Sequence, residues 1–265
     1  MKLVDTHCHL DIGYFPEGAD TVIERANQAG VGAFMVIGVG EASVVRQAVA
    51  LAERRPDVVA AIGVHPHEAA DLTEDYFAEI EAASVRPRVR CIGEIGLDYH
   101  YDHSPRELQK AVFRRFIGLA RKVKKPIVIH TREAAEDTLA ILREENARDV
   151  GGIIHCFSED RSFAEAALDL GFDLSFSGIL TFKTAKAIKE AAAFAPADRI
   201  LVETDSPYLA PVPLRGKKCE PAYVAHTAGF LAKLRNVDLE SLVATTTENA
   251  LRRLGQDAFP RDVLS

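Results

Sequence analysis

An HxH pair near the start of the chain is the first feature whose residue types and spacing could do chemistry. His7 and His9 lie at the end of a short apolar run, KLVDTH, over 2–7. If that run is a β-strand, alternate side chains share a face, so both imidazoles point one way and Cys8 points the other. Two imidazoles on one face can chelate a metal ion, although an isolated HxH could equally be structural.

Other apolar runs also end in ionisable residues. Single histidines end three of them, at His65, His130 and His155. Carboxylates end two more, at Glu94 and Asp205. One histidine at a strand end is ordinary, but six strands of one chain ending in this way indicate a shared site. Because a catalytic zinc takes three or four protein ligands, a set of six favours two divalent ions with one carboxylate bridging them. The predicted metal ligands are His7, His9, Glu94, His130, His155 and Asp205.

The elements that must position these residues are eight short apolar runs alternating with amphipathic segments. The runs are predicted as strands over 2–7, 32–40, 58–65, 90–98, 126–130, 150–157, 172–178 and 199–205. Helices are predicted over 111–125, 134–146, 163–171, 220–235 and 239–254. Near-continuous apolar strands that alternate with helices indicate a parallel sheet covered on both faces.

Eight such units in 265 residues predict an α/β fold, a closed (β/α)8 TIM barrel forming a single domain over 1–265. The alternative is an open doubly wound sheet, which usually carries a glycine-rich phosphate loop after its first strand. No GxGxxG or GxxxxGK[ST] motif occurs there. The barrel is therefore favoured, and its catalytic face, at the carboxyl ends of the strands, is where the predicted ligands fall.

Charge and cysteine usage restrict the function classes. Lys and Arg total 32 and Asp and Glu total 39, a net charge of −7, which argues against coating long nucleic acid by bulk electrostatics. Any phosphate binding must be local. The four cysteines form no CxxC pair, and no apolar run approaches the roughly 18 to 20 residues that span a bilayer. We expect a cytoplasmic protein without membrane association and without an obligate protein partner.

Seven motifs together make the sequence resemble one family. They are DTHCHLD (5–11), GVHPH (63–67), GEIGLDYH (93–100), HTREA (130–134), HCFS (155–158), SGILTFK (177–183) and ETDSPYL (203–209). The combination resembles the TatD family of metal-dependent deoxyribonucleases, within the amidohydrolase superfamily, from residue 5 to about residue 250. That resemblance implies a (β/α)8 barrel, in agreement with the strand pattern.

The resemblance also implies roles for individual residues. His7, His9 and Asp205 would hold one ion, His130 and His155 the other, and Glu94 would bridge them. Mixed imidazole and carboxylate ligands suit Zn, Mn, Fe or Co, and Mg less well because it prefers oxygen ligands. The chain departs from the family at Lys218 and Cys219, where an arginine and an asparagine are usual, so a contact expected from an amide is in doubt there.

Two cations suit phosphodiester hydrolysis, with DNA ends or single strands as the expected substrate. Asp205 is the candidate general base as well as a metal ligand. Glu94 is also predicted to be a catalytic residue. His65 is predicted to contact a phosphate oxygen or to protonate the leaving hydroxyl. Glu203 shares the face of Asp205 and is a candidate supporting residue. Three basic residues, each also readable as a solvated charge, are predicted to contact substrate phosphates: Arg132, Lys183 and Arg215.

Two alternatives remain open. One is another hydrolase of the superfamily, acting on an ester, a lactone, a cyclic amide or a D-aminoacyl-tRNA; binuclear enzymes of that kind often bridge their metals with a modified lysine, whereas this chain has Glu94. The other is an inactive barrel that serves as a binding module. An intact set of ligands argues against the second alternative, because unused polar groups in a barrel mouth cost stability.

Overall fold

Eight parallel strands form one sheet in chain order, from the first strand to the eighth. The computed structural model describes residues 1–265. The strands are β1 (Leu3–Cys8), β2 (Val31–Gly38), β3 (Val58–Ile62), β4 (Val89–Asp98), β5 (Ile127–Arg132), β6 (Gly152–Ile154), β7 (Phe172–Phe176) and β8 (Ile200–Val202). The edges of the sheet meet just beyond β8, where the amide of Asp205 donates to the carbonyl of His7 (2.9 Å) and that of His9 to Ser206 (2.9 Å). The predicted (β/α)8 barrel is confirmed.

Nine α-helices surround the sheet. They are α1 (Ala19–Gln28), α2 (Ala42–Arg54), α3 (Glu74–Ser84), α4 (Arg106–Val123), α5 (Ala135–Glu144), α6 (Arg161–Asp169), α7 (Lys186–Phe194), α8 (Val224–Arg235) and α9 (Leu239–Leu254). Short 3-10 turns occupy Pro66–Asp71, Ala147–Asp149, Gly178–Thr181, Ala197–Arg199, Pro221–Tyr223 and Arg261–Leu264. None of the helices is both long enough and apolar enough to span a lipid bilayer.

Several helix ends follow from local side-chain chemistry. The side chains of Thr73, Asp160 and Asp238 accept hydrogen bonds from backbone amides in the first turns of α3, α6 and α9, which satisfies donors that have no partner inside the helix. Lys124 and Asn236 end α4 and α8 in the left-handed conformation, which stops further helical bonding. These ends fix where each chain segment returns to the sheet.

The apolar core has two layers. The larger layer lies between the strands and the surrounding helices. The smaller layer fills the interior of the barrel near the amino-terminal ends of the strands. Ala250 and Leu254 of α9, followed by Phe259 and Leu264, pack into the smaller layer. The amino-terminal end of the barrel is therefore closed largely by apolar side chains, and the predicted site residues lie toward the opposite end.

Some predicted element boundaries differ from those observed. The strand predicted over 150–157 is only Gly152–Ile154, because Gly151 ends the preceding turn at a φ of +61° and Cys156 leaves the sheet at a φ of +43°. The strand predicted over 199–205 ends at Val202, since the amide of Thr204 bonds to the Asp5 side chain. The helix predicted over 111–125 begins at Arg106, and the segment 220–235 starts as a 3-10 turn before α8.

Candidate metal centre

A β-bulge in β1 turns His7 into the barrel. Val4 belongs to the interior layer, so strict alternation would place Thr6 and Cys8 inside as well. Between Asp5 and Cys8, however, β1 advances three residues while β2 advances two. This extra residue shifts the alternation, so Cys8 packs in the outer layer and His7 faces inward, buried and in contact with other site residues.

The fourth strand contains a similar β-bulge, which includes Glu94. Cys91 lies in the interior layer and Ile95 in the outer one. Between Ile92 and Ile95 the strand advances three residues against two in β5, which brings Glu94 to the inner face. Gly96 follows at a φ of +144°, and a Cβ there would lie 2.0 Å from the carbonyl oxygen of His130. Only glycine allows β4 and β5 to approach this closely beside the site.

The two carboxylate oxygens of Glu94 face different groups of histidines. Oε2 lies 3.3 Å from Nε2 of His7 and 3.8 Å from Nε2 of His9. Oε1 lies 2.8 Å from Nε2 of His155 and 3.0 Å from Nδ1 of His130. A buried carboxylate with imidazoles on both sides is therefore the centre of the site.

Asp205 and His65 complete the two sides. Oδ1 of Asp205 lies 3.7 Å from Nε2 of both His7 and His9. Asp205 therefore lies on the same side of the centre as these two histidines, the side that Oε2 of Glu94 faces. Nε2 of His65 lies 3.4 Å from Oε1 of Glu94, on the side of His130. The structure thus brings all six predicted ligands together and places His65 beside them.

Second carboxylates hold the far sides of two imidazoles. Oδ2 of Asp98 lies 2.9 Å from Nε2 of His130, and Oε1 of Glu203 lies 3.2 Å from Nδ1 of His155. Such contacts orient a histidine ligand and set which ring nitrogen carries the proton. Glu203 was identified from the sequence, whereas Asp98 was missed. The signal was present, because Asp98 follows Glu94 by four residues and shares its strand face.

Burial and charge set the protonation of the site. Burial lowers the pKa of His9 to about 3 and that of His65 to about 4, which favours the neutral imidazoles that metals bind. Burial raises the pKa of Asp205 to about 6. Burial alone would also raise the pKa of Glu94, but the charges of His155 and the other imidazoles hold it well below its usual range.

The donor atoms fit a metal centre. Three overlapping groups each bring three imidazole or carboxylate atoms within 4.8 Å of one another. The groups are His7, His9 and Glu94; His7, His155 and Glu203; and His65, Glu94 and His130. Nε2 of His155 is buried, points at Glu94 and makes no well-formed hydrogen bond. A buried nitrogen of this kind, in a set of imidazoles and carboxylates, matches the ligand chemistry of Zn and related divalent ions.

The predicted phosphate contacts are exposed on the same face, Arg132 at the end of β5 and Lys183 and Arg215 in loops. The guanidinium of Arg132 lies 4.8 Å from the centre of the Tyr101 ring, and that of Arg215 lies 3.5 Å from the Phe182 ring. Lys183 is exposed next to Phe182. These aromatic contacts hold the two arginines at the mouth, and their binding of phosphate stays a prediction.

The two departures from the family pattern occupy different environments. Lys218 is exposed, with its ammonium 4.1 Å from the centre of the Phe15 ring. Cys219 is fully buried, and its Sγ lies 4.0 Å from the carbonyl oxygen of Thr204. A buried thiol therefore packs beneath the loop that carries Asp205.

Comparison with known proteins identifies the family. The family model described as TatD related DNase matches residues 4–255. An uncharacterized metal-dependent hydrolase, YabD of Bacillus subtilis, is 45% identical over 94% of this chain and 98% of its own length. A 3'-5' ssDNA/RNA exonuclease TatD of Edwardsiella piscicida is 33% identical over 94% and 97%. The crystal structure of YJJV, a TatD homologue of Escherichia coli, superposes with a TM-score of 0.87 at 27% identity, covering 97% of each chain. The chain is therefore a metal-dependent hydrolase of the TatD family.

Proposed function

We propose that this protein hydrolyses phosphodiester bonds at unpaired ends of DNA with two divalent ions. The observation that carries the proposal is the position of Glu94, whose two oxygens face separate groups of imidazoles. A carboxylate in this position suits a bridge between two cations, and paired cations suit the cleavage of a phosphodiester.

The ligands divide around Glu94. His7, His9 and Asp205 would hold one ion, and His130 and His155 would hold the other. When bound, two such cations lower the pKa of a water molecule and neutralise negative charge on the phosphoryl oxygens. Zn or Mn fits the mixed nitrogen and oxygen donors better than Mg does.

The protein's own residues would move the proton and hold the substrate. Asp205 is partly exposed at the mouth and is positioned to accept a proton from the attacking water. His65 would donate a hydrogen bond to a phosphate oxygen, or a proton to the sugar oxygen that leaves as the P–O bond breaks. Arg132, Lys183 and Arg215 would each contact a phosphate.

Two further points favour a nuclease over a hydrolase of carbonyl compounds. A relative with 33% identity bears the name 3'-5' ssDNA/RNA exonuclease. The central position is a glutamate, Glu94, on β4, and not a lysine. The net charge of −7 also favours short or terminal contacts over tracking along a duplex, because few phosphates would be neutralised at once.

The test uses protein stripped of metal by a chelator and refilled separately with Zn, Mn, Co or Mg. Each form is assayed on single-stranded and double-stranded DNA and on RNA, labelled at either end, beside a panel of esters and lactones. We expect metal-dependent release of nucleotides, faster from the single strand than from the duplex. Glu94→Gln protein, prepared in the same way, controls for a contaminating nuclease. Turnover of an ester or lactone without any cleavage of nucleic acid would contradict the proposal.

A further inference from the structure

Two tyrosines form an aromatic wall beside the metal centre. Tyr14 follows β1 and Tyr208 follows β8, so they extend from neighbouring strands at the seam where the barrel closes. Their hydroxyl oxygens are 2.5 Å apart, and their ring centres are 5.8 Å apart at an angle of 77°. The ring centre of His9 lies 6.2 Å from that of Tyr14 and 6.3 Å from that of Tyr208. The pair is thus locked together and flanks the Oε2 side of the centre.

These rings are open to solvent. Tyr14 is 37% exposed and Tyr208 is 47% exposed. Their hydroxyls bond to each other, so the polar atoms are satisfied while apolar ring surface stays uncovered next to a cluster of charged groups. The hydrolytic chemistry assigned to Asp205, Glu94 and the histidines makes no use of either ring. An uncovered aromatic surface held at a fixed angle beside a phosphate site suits a flat ligand.

We propose that Tyr14 and Tyr208 form a subsite that stacks the nucleobase adjoining the scissile phosphodiester, an inference that rests on the proposed nuclease function. Aromatic side chains bind bases through their flat faces with little preference for sequence, at about 1 to 3 kcal/mol per base. In a duplex those faces are covered by neighbouring base pairs. The pair therefore selects an unpaired end and holds its phosphate over the metal centre.

The geometry also favours the pair over the other exposed ring of the mouth. Tyr101 is 52% exposed but follows β4, across the barrel from the seam of β1 and β8. Its ring stacks on His103, with 5.6 Å between centres, and carries Arg132 at 4.8 Å. A ring already covered by an imidazole and a guanidinium has less surface to offer a base. Tyr101 thus provides a matched control of the same residue type on the same face.

The experiment compares two single-stranded oligonucleotides that differ only at the end that the wild-type enzyme degrades. One carries normal terminal bases and the other carries abasic sugars. For Tyr14→Ala and Tyr208→Ala we expect KM on the normal substrate to rise about 5- to 150-fold, with little change on the abasic one. Tyr208→Phe should retain a KM close to that of the wild-type enzyme, because it keeps the ring and removes only the hydroxyl. Tyr101→Ala should change both substrates by the same factor.

A binding measurement gives a second readout. An oligonucleotide with 2-aminopurine as its terminal base and phosphorothioate linkages that resist hydrolysis is titrated with metal-loaded protein. Stacking should quench its fluorescence with the wild-type protein and with Tyr208→Phe but not with Tyr208→Ala. Equal KM changes on both substrates, or unchanged quenching, would overturn the stacking role while leaving the nuclease function intact. A wild-type enzyme that cleaves neither oligonucleotide would overturn the nuclease function and this inference with it.

Discussion

Asp98 holds the side of His130 that faces away from Glu94. Its Oδ2 lies 2.9 Å from Nε2 of His130, while Nδ1 of the same ring lies 3.0 Å from Oε1 of Glu94. Asp98 is itself positioned by the backbone, because its Oδ1 accepts hydrogen bonds from the amides of His100 and Tyr101. The imidazole therefore has one nitrogen directed at the metal centre and the other held by a carboxylate that two backbone amides position.

Replacing Asp98 with asparagine should weaken metal binding without unfolding the protein. The amide can still accept the two backbone hydrogen bonds, but it lacks the charge that makes His130 a better ligand. We expect metal affinity to fall about 10- to 100-fold, the usual cost of losing such a partner. Titration against a chelator of known affinity measures it. Asp137→Asn, at a half-buried carboxylate outside the site that accepts a hydrogen bond from the Tyr99 hydroxyl, is the matched control and should leave the affinity unchanged.

Metal analysis tests the bridging role of Glu94. The division of imidazoles between its two oxygens predicts two divalent ions per chain in protein purified without chelator. In Glu94→Gln the neutral amide cannot neutralise two cations, so we expect one or no retained ion. Elemental analysis against protein concentration gives both values. A reproducible single ion in the wild-type protein, even after addition of excess metal, would remove the bridge.

The strand pattern carried most of the information about this fold. Eight apolar runs that alternate with helical segments were enough to predict the barrel. Because parallel strands end together, they also placed His65, His130 and His155 at one end of it. Alternation alone could not have oriented the whole of β1. Strict alternation counted from Val4 would direct the side chain of His7 outward. The β-bulge that turns it inward is visible only in the pairing of β1 with β2, where β1 has one extra residue between Asp5 and Cys8. Bulges depend on the partner strand, which the local sequence does not identify.

Other site features were hidden for different reasons. Asp98 lies in a strand that the sequence located correctly, and extending the alternation from Glu94 would have found it. Tyr14 and Tyr208 are 194 residues apart and come together only because the barrel closes. The position of a strand end can be predicted from the local sequence, whereas a contact between two loops depends on how the barrel closes.

A buried ion pair network at the amino-terminal end of the barrel predicts a stability change that is independent of the site. Asp173 of β7 is fully buried and contacts Arg252 at 2.9 Å and Arg253 at 2.7 Å. Asp173→Ala should lower the free energy of unfolding by about 3 kcal/mol, the low end for a broken buried pair because Arg252 is partly exposed. Urea denaturation measures the change. Asp257→Ala removes an exposed partner of Arg90 and should cost less than about 1 kcal/mol.

Asp205→Asn separates the proposed proton acceptor from the fold. Asp205 has a φ of +55°, a conformation that asparagine also tolerates well, and its amide oxygen can still contact a metal. We expect the melting temperature and most of the metal content to be retained, while kcat falls roughly 10²- to 10⁴-fold. Single-turnover assays on the labelled single strand measure the step. A variant that binds substrate normally and keeps more than about a third of wild-type turnover would exclude Asp205 as the base.

His65→Ala distinguishes a phosphate contact from a third ligand on the His130 side. Nε2 of His65 lies 3.4 Å from Oε1 of Glu94, close enough for either role. As a phosphate contact, its loss should leave metal content at the wild-type value and lower kcat/KM on DNA about 10- to 100-fold, or about 1.4 to 2.7 kcal/mol of transition-state binding. An ester substrate, which offers no phosphate, should lose less. If the purified variant instead lacks one ion, His65 is a ligand. An equal or larger defect on the ester would favour the carbonyl hydrolase over the nuclease.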